Sequence, residues 1–137
     1  MNNINVLIFE GQDGVGKSTL IREINKKTKY KYICIDRFLG SAFVYNRHNP
    51  LQVITSEISL AINTKINFYL IYLVCDDKTV LNKRLKLKKD DDKIINIVDD
   101  REKYDKYFNT SLFKKIKIDT NINNISNCIM KIEELIL

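Results

Sequence analysis

Eight consecutive residues, Gly11-Gln12-Asp13-Gly14-Val15-Gly16-Lys17-Ser18, gather three glycines, one lysine and one hydroxyl into a single short stretch. They fit G-x-x-x-x-G-K-[ST], a pattern with definite chemistry. The glycines let backbone N–H groups converge on oxygen atoms that a side chain would block. A helix starting just after them adds its positive N-terminal end. Lys17 can then reach the β- and γ-phosphates of a nucleotide, and the Ser18 hydroxyl can ligate Mg2+. Asp13, Val15 and Thr19 complete the residues expected around ATP. A second group lies nearby in Asp36, Arg37, Phe38, Ser41, Tyr45 and Arg47. Asp36 can hold a metal-bound water or accept a proton from an acceptor. Arg37 can grip a phosphate through two N–H groups, and Tyr45 can stack on a base or sugar.

Such groups work only if the chain positions them. Residues 4–9 form a compact apolar run ending just before Gly11, as expected of a parallel strand buried on both faces. Residues 18–27 read as a helix with Leu20, Ile24 and Ile21 inward. Residues 30–35 read as a second strand, which puts Asp36 and Arg37 at its carboxyl end. Residues 38–48 read as a short helix or turn. Asn49 and Pro50 then start a helix over 50–64 whose apolar stripe is Leu51, Ile54, Ile58 and Ala61. Glu57 falls off that stripe and is expected in solvent. Residues 66–75 carry the strongest strand signal, followed by a helix with Val80, Leu81 and Leu85 inward. Residues 86–100 are charge-dense and read as a loop or lid. A helix over 101–108, a short strand over 115–118 and a closing helix lined by Ile122, Ile125, Ile129, Ile132 and Ile136 complete the chain. The alternation argues for an α/β fold with a parallel sheet of about four strands in order 2-1-3-4. One domain over 1–137 is expected.

The stretch Phe9-Glu10-Gly11-Gln12-Asp13 leading into the glycine-lysine end resembles the opening of thymidylate kinase and its nucleoside and nucleotide kinase relatives. Asp36-Arg37-Phe38, Ser41 and Tyr45 also follow that family's order. The resemblance implies a three-layer P-loop NTPase sandwich that transfers a phosphoryl group from ATP–Mg2+ to a nucleotide. It implies that Lys17, Asp36, Arg37 and Arg84 are catalytic, and that Ser18 and Asp36 hold the metal. Asp13 would contact the acceptor's 3′-hydroxyl, with Arg37, Phe38, Ser41, Tyr45 and Arg47 around the acceptor. Arg84 and Lys88, four apart on one helical face, would bring cations toward the triphosphate. Lys86, Lys88 and Lys89 individually read as solvated charges. The segment from Asp119 through Thr120 to Asn121 would sit where the family holds adenine.

One departure matters. Only 19 positions separate Lys17 from Asp36, where thymidylate kinases insert a further strand and two helices that read thymine. The base therefore stays open. The short spacing equally suits polynucleotide 5′-kinases and small-molecule kinases, and an open front could admit a larger acceptor or be closed by a second subunit in a homodimer. Three readings follow: a minimal nucleoside or nucleoside-monophosphate kinase, a polynucleotide kinase, and a nucleotide-binding regulatory protein without transfer.

Composition narrows the classes further. The net charge of +6 favours phosphate-bearing partners. The even mixing of Lys with Asp and Glu makes nucleic acid a secondary expectation. No N-K-x-D sequence suggests a guanine switch. Cys34, Cys75 and Cys128 are widely spaced and read as free thiols of a reducing, cytoplasmic setting. His48 is the sole histidine, which argues against a histidine metal site. No apolar run is long enough to span a membrane, and the first residues read as a strand rather than a leader.

Overall fold

The computed structural model describes residues 3–63, 65–87 and 97–137. Four parallel strands, β1 (Ile4–Glu10), β2 (Ile33–Asp36), β3 (Ile66–Val74) and β4 (Lys114–Asp119), form one sheet in the order β2-β1-β3-β4. This is the expected order. β1 and β3 are central, and their apolar runs follow from burial on both faces. They pair from Ile4↔Ile66 to Glu10↔Tyr72.

Among the described residues six helices cover the sheet: α1 (Lys17–Thr28), α2 (Leu39–Val44), α3 (Pro50–Ala61), α4 (Lys78–Leu87), α5 (Ile97–Thr110) and α6 (Ile125–Ile136). Strand periodicity sends alternate side chains to opposite faces. Leu7, Phe9, Ile71 and Leu73 meet Leu20 and Ile24 of α1, Leu81 and Leu85 of α4, and Ile129 and Ile132 of α6. Val6, Ile8 and Leu70 meet Leu39 of α2, Val53 of α3 and Tyr107 of α5. Val44, Tyr72, Val74 and Tyr104 extend this second layer. By the same alternation Glu10 follows Val6 and Ile8 and points under α2 and α5. No helix among the described residues is long and apolar enough to cross a membrane. All three cysteines are free thiols.

Several expectations need correction. α3 starts as anticipated, with a capping box between Asn49 and Gln52 and proline in the first turn, but it is rotated. Leu51 is 73% exposed, Ile54 and Ile58 are also exposed, and Val53 and Glu57 are the buried residues. Glu57 is only 2% exposed. It accepts hydrogen bonds from the Tyr107 hydroxyl, from Ser111 Oγ at 3.0 Å and from the Leu112 N–H at 2.7 Å. Three donors offset the desolvation of the carboxylate and fix which face turns inward.

The second strand is shorter than the reading over 30–35. α1 ends in a left-handed turn, Lys29 at φ 53° and Tyr30 at φ 59°, and the strand begins only at Ile33. At the closing helix, Asn124 caps the N-terminus through the Asn127 N–H. Ile122 therefore lies in the preceding turn and is 76% exposed, and Ile125 is exposed too, while Ile129 and Ile132 are buried. The loop or lid reading over 86–100 is trimmed at both ends, since α4 runs to Leu87 and α5 starts at Ile97. The rest of it, with Lys88 and Lys89, lies outside the described residues, as does residue 64 at the end of the anticipated α3 helix.

Replacing Glu57 with alanine strands three buried donors. Urea unfolding of Glu57→Ala is expected to show a loss of about 3 kcal/mol. Ile58→Ser, on the exposed face of the same helix, is expected to stay within about 0.5 kcal/mol of the parent.

Candidate phosphoryl-transfer site

β1 delivers the chain to Gly11 at the carboxyl edge of the sheet. A Cβ at Gly11 would stand 2.4 Å from the Leu73 carbonyl oxygen, so only glycine lets the loop leave β1 this close to β3. Gly16 has free space around it but a φ of 100°, the left-handed conformation that precedes the first turn of α1. Val15 contributes its backbone to the loop and its side chain to the core. The loop thus aims the N-terminus of α1 at the edge where ligands of open parallel sheets bind.

Lys17 is only 6% exposed. Its Nζ donates to the carbonyls of Gly11 at 2.7 Å and Gln12 at 2.8 Å. Burial, joined by the positive charge of Arg37, lowers its pKa to about 8, against the opposing pull of Asp36, Asp13 and Glu10. Ser18 Oγ donates to Asp36 Oδ2 at 3.4 Å. This hydroxyl and the exposed carboxylate at the end of β2 are hard oxygen donors of the kind that bind Mg2+ alongside phosphates. No group of three or more potential ligating His, Cys, Asp or Glu side chains occurs among the described residues. A divalent ion would therefore take most of its ligands from the nucleotide and water.

Arg37 adopts a left-handed backbone, φ 68°, and its N–H donates to the Phe9 carbonyl at 2.9 Å. The conformation turns its guanidinium back over the loop, where it pairs with Asp13 and lies over the Tyr45 ring at 5.6 Å. Asp13, Lys17, Ser18, Thr19, Asp36 and Arg37 line one cleft of about 120 Å³ together with loop glycines. The structure thus brings together the central residues expected from the sequence.

The remaining expected residues are placed differently. Phe38 donates its N–H to Glu10 Oε1 at 2.8 Å. Ser41 is buried and donates to the same oxygen at 3.0 Å, with the Tyr104 hydroxyl also 3.0 Å away. Tyr45 packs edge-on to Tyr104. Arg47 is exposed beyond α2. Arg84 is tied by Nη1 to the Gly14 carbonyl at 3.2 Å and to Thr120 Oγ1 at 3.1 Å. Thr120 in turn donates to the Val15 carbonyl at 2.6 Å. Arg84 and Thr120 line a cavity of about 810 Å³ behind the loop, with Leu20, Asn123 and Ile125 on its walls. Asp119 organises this rim by accepting from the N–H groups of Asn121 and Asp76.

Sequence reasoning assigned no role to Glu10 or Tyr104. Glu10 is fully buried, and burial pushes its carboxyl above the usual range, against the hydrogen bonds from Phe38 and Ser41 and the charge of Lys17. Its Oε2 has no hydrogen-bond partner among the described residues. A Cβ at Gly40 would lie 2.0 Å from that oxygen, so Glu10 and Gly40 require each other. The signal was an acidic residue closing an otherwise apolar strand.

No protein-family model and no curated protein sequence matches this chain. Solved structures do. The YorR protein from Bacillus subtilis, crystallised with phosphorylated GDP, superposes with a TM-score of 0.73 at 20% identity over 96% of this chain and 95% of that one. Deoxyadenosine kinase from M. mycoides, with dCMP and dCDP bound, gives 0.61 at 16% identity over 96% and 98%. The same kinase with dATP gives 0.59 at 15% identity over 98% and 100%.

The buried ammonium makes a pH-dependent prediction. Between about pH 7.5 and 9.5, ATP affinity should hold up to Lys17's pKa of about 8 and then fall, approaching tenfold per pH unit, as Lys17 loses its proton. Isothermal titration checks this, and Lys17→Met should bind weakly with no such slope. Taken together, the sheet order, the glycine loop and these superpositions show that the chain has a P-loop kinase-like fold.

Proposed function

We propose that the chain transfers the γ-phosphoryl group of ATP to a (deoxy)nucleoside monophosphate. One observation carries this reading. The buried lysine of the glycine loop, a hydroxyl–carboxylate pair and an arginine from the next strand end all line the same small cleft. The loop N–H groups and the N-terminus of α1 would hold the donor phosphates. Lys17 would exchange its two carbonyl bonds for phosphate oxygens and follow the charge as it moves. The cavity behind the loop, floored by Arg84 and Thr120, suits the donor base. Mg2+ held by Ser18 and Asp36 would neutralise the charge that builds on the transferring group. Arg37 would leave Asp13 for the acceptor's phosphate and fix it in line. A phosphate acceptor is already an anion and needs no base. Tyr45, beside Arg37, would carry the acceptor's sugar or base.

A nucleoside acceptor is the second reading. Of the two arginines expected at an acceptor phosphate, Arg37 reaches the loop and Arg47 points to solvent. A 5′-hydroxyl must lose a proton, and Asp36 is the exposed carboxylate in the cleft.

The test is phosphoryl transfer from γ-labelled ATP to a panel of nucleosides, nucleoside monophosphates and 5′-hydroxyl oligonucleotides. Transfer to a monophosphate is expected. Asp36→Asn should lower kcat about a hundredfold, and Arg37→Ala should raise the acceptor KM about 10- to 100-fold. Transfer to nucleosides alone would establish the second reading. ATP binding with no transfer to any acceptor would make the chain a nucleotide-binding regulatory protein.

A further inference from the structure

Beside the cleft, a second groove of about 370 Å³ runs down the flank where α1 faces β2. Ser18, Arg22, Asn25, Lys26, Tyr30 and Asp36 line it. It shares Ser18 and Asp36 with the cleft. The span from Ser18 to Lys26 along α1 is about 12 Å. The groove therefore begins where the phosphoryl group would move and leads away from the Arg37–Tyr45 side, which lies beyond the end of β2 toward α2.

Charge is concentrated here. Residues 22–32 hold Arg22, Lys26, Lys27, Lys29 and Lys31 against the single acid Glu23, a net of +4 out of +6 for the whole chain. Arg22 and Lys26 have Glu23 as their ion-pair partner at 3.6 and 3.8 Å, with side chains 63% and 67% exposed. Pairs that open cost little to exchange for phosphate. Tyr30 is 77% exposed. Its N–H is held by the Asn25 carbonyl at 3.1 Å, at the end of two consecutive left-handed residues. A tyrosine in that conformation is uncommon and carries a backbone cost. The turn holds its ring in solvent on the groove that Arg22 and Lys26 also line.

We infer that this flank binds single-stranded nucleic acid, with Arg22 and Lys26 on backbone phosphates and a base stacked on Tyr30. Cations that track the backbone and an aromatic face that takes any base are what such strands need. The inference goes beyond the proposed transfer reaction and stands whichever mononucleotide is the acceptor.

The test uses the full chain and a 3′-fluorescein octathymidylate with a free 5′-hydroxyl, read by anisotropy across a salt series. Binding is expected to weaken with salt, with a slope in log K against log salt of about −1.4 or steeper for two phosphate contacts. Arg22→Glu/Lys26→Glu should bind at least about tenfold more weakly and lose about 1.4 from that slope. Tyr30→Ala should lose about tenfold with the slope unchanged. Lys103→Glu/Lys106→Glu, an equal charge reversal on α5, should stay within about twofold. ATP binding, measured in parallel, should be unchanged in all variants and shows that they are folded. The inference is overturned if the parent chain does not bind, if both charge reversals weaken binding equally, or if Tyr30→Ala binds like the parent.

Discussion

A lysine ammonium that is almost wholly out of water must have its charge answered, and the answer given to Lys17 organises the carboxyl edge of the sheet. Two loop carbonyls, those of Gly11 and Gln12, accept its hydrogen bonds directly. They lie in reach because Gly11 lets the loop turn off β1 against the Leu73 carbonyl, where a Cβ would collide. Three carboxylates from the ends of β1, the loop and β2 supply negative charge around it: Glu10, Asp13 and Asp36. Arg37, paired with Asp13, opposes them and lowers the pKa of Lys17. The arrangement leaves a cation whose partners are carbonyls rather than a carboxylate at bonding distance. Such a cation can transfer to phosphate oxygens without breaking a strong ion pair.

Around that centre the molecule is uneven. The Arg84 side is closely built. Arg84 and Thr120 tie α4, the segment after β4 and the loop into one frame through the carbonyls of Gly14 and Val15. The Arg37 side is held from beneath by Glu10, Ser41 and Tyr104, and its exposed groups are Tyr45, Phe38 and Asp36. Ser41 is buried there and donates to Glu10. The structures that superpose on this chain are 15–20% identical to it, so what is shared with them is the fold.

Local pattern was a good guide wherever local chemistry decides. The glycine loop, the strand order and the capped start of α3 rest on residue types adjacent in the chain. The two apolar runs of β1 and β3 announce a sheet buried on both faces. Local pattern failed where distant groups decide. The face that α3 turns inward is set by donors 50 to 55 positions from Glu57, in Tyr107, Ser111 and Leu112. Periodicity sees only the more apolar stripe of Leu51, Ile54 and Ile58. Glu10 was quoted as part of a motif yet not read as a buried acid, because its partners Phe38 and Ser41 arrive from about 30 positions away. Ile122 and Ile125 matched a helical face, but the Asn124 cap starts the helix after Ile122 and leaves Ile125 on the cavity wall.

The claim on which the rest depends is that Lys17 is a buried cation poised to exchange carbonyl bonds for phosphate. An NMR titration of the Lys17 side chain, with and without ATP, measures this most directly. The account predicts a midpoint near 8 in the free protein, moving upward when triphosphate binds. A midpoint near the ordinary lysine value of about 10.4, unmoved by ATP, would contradict it.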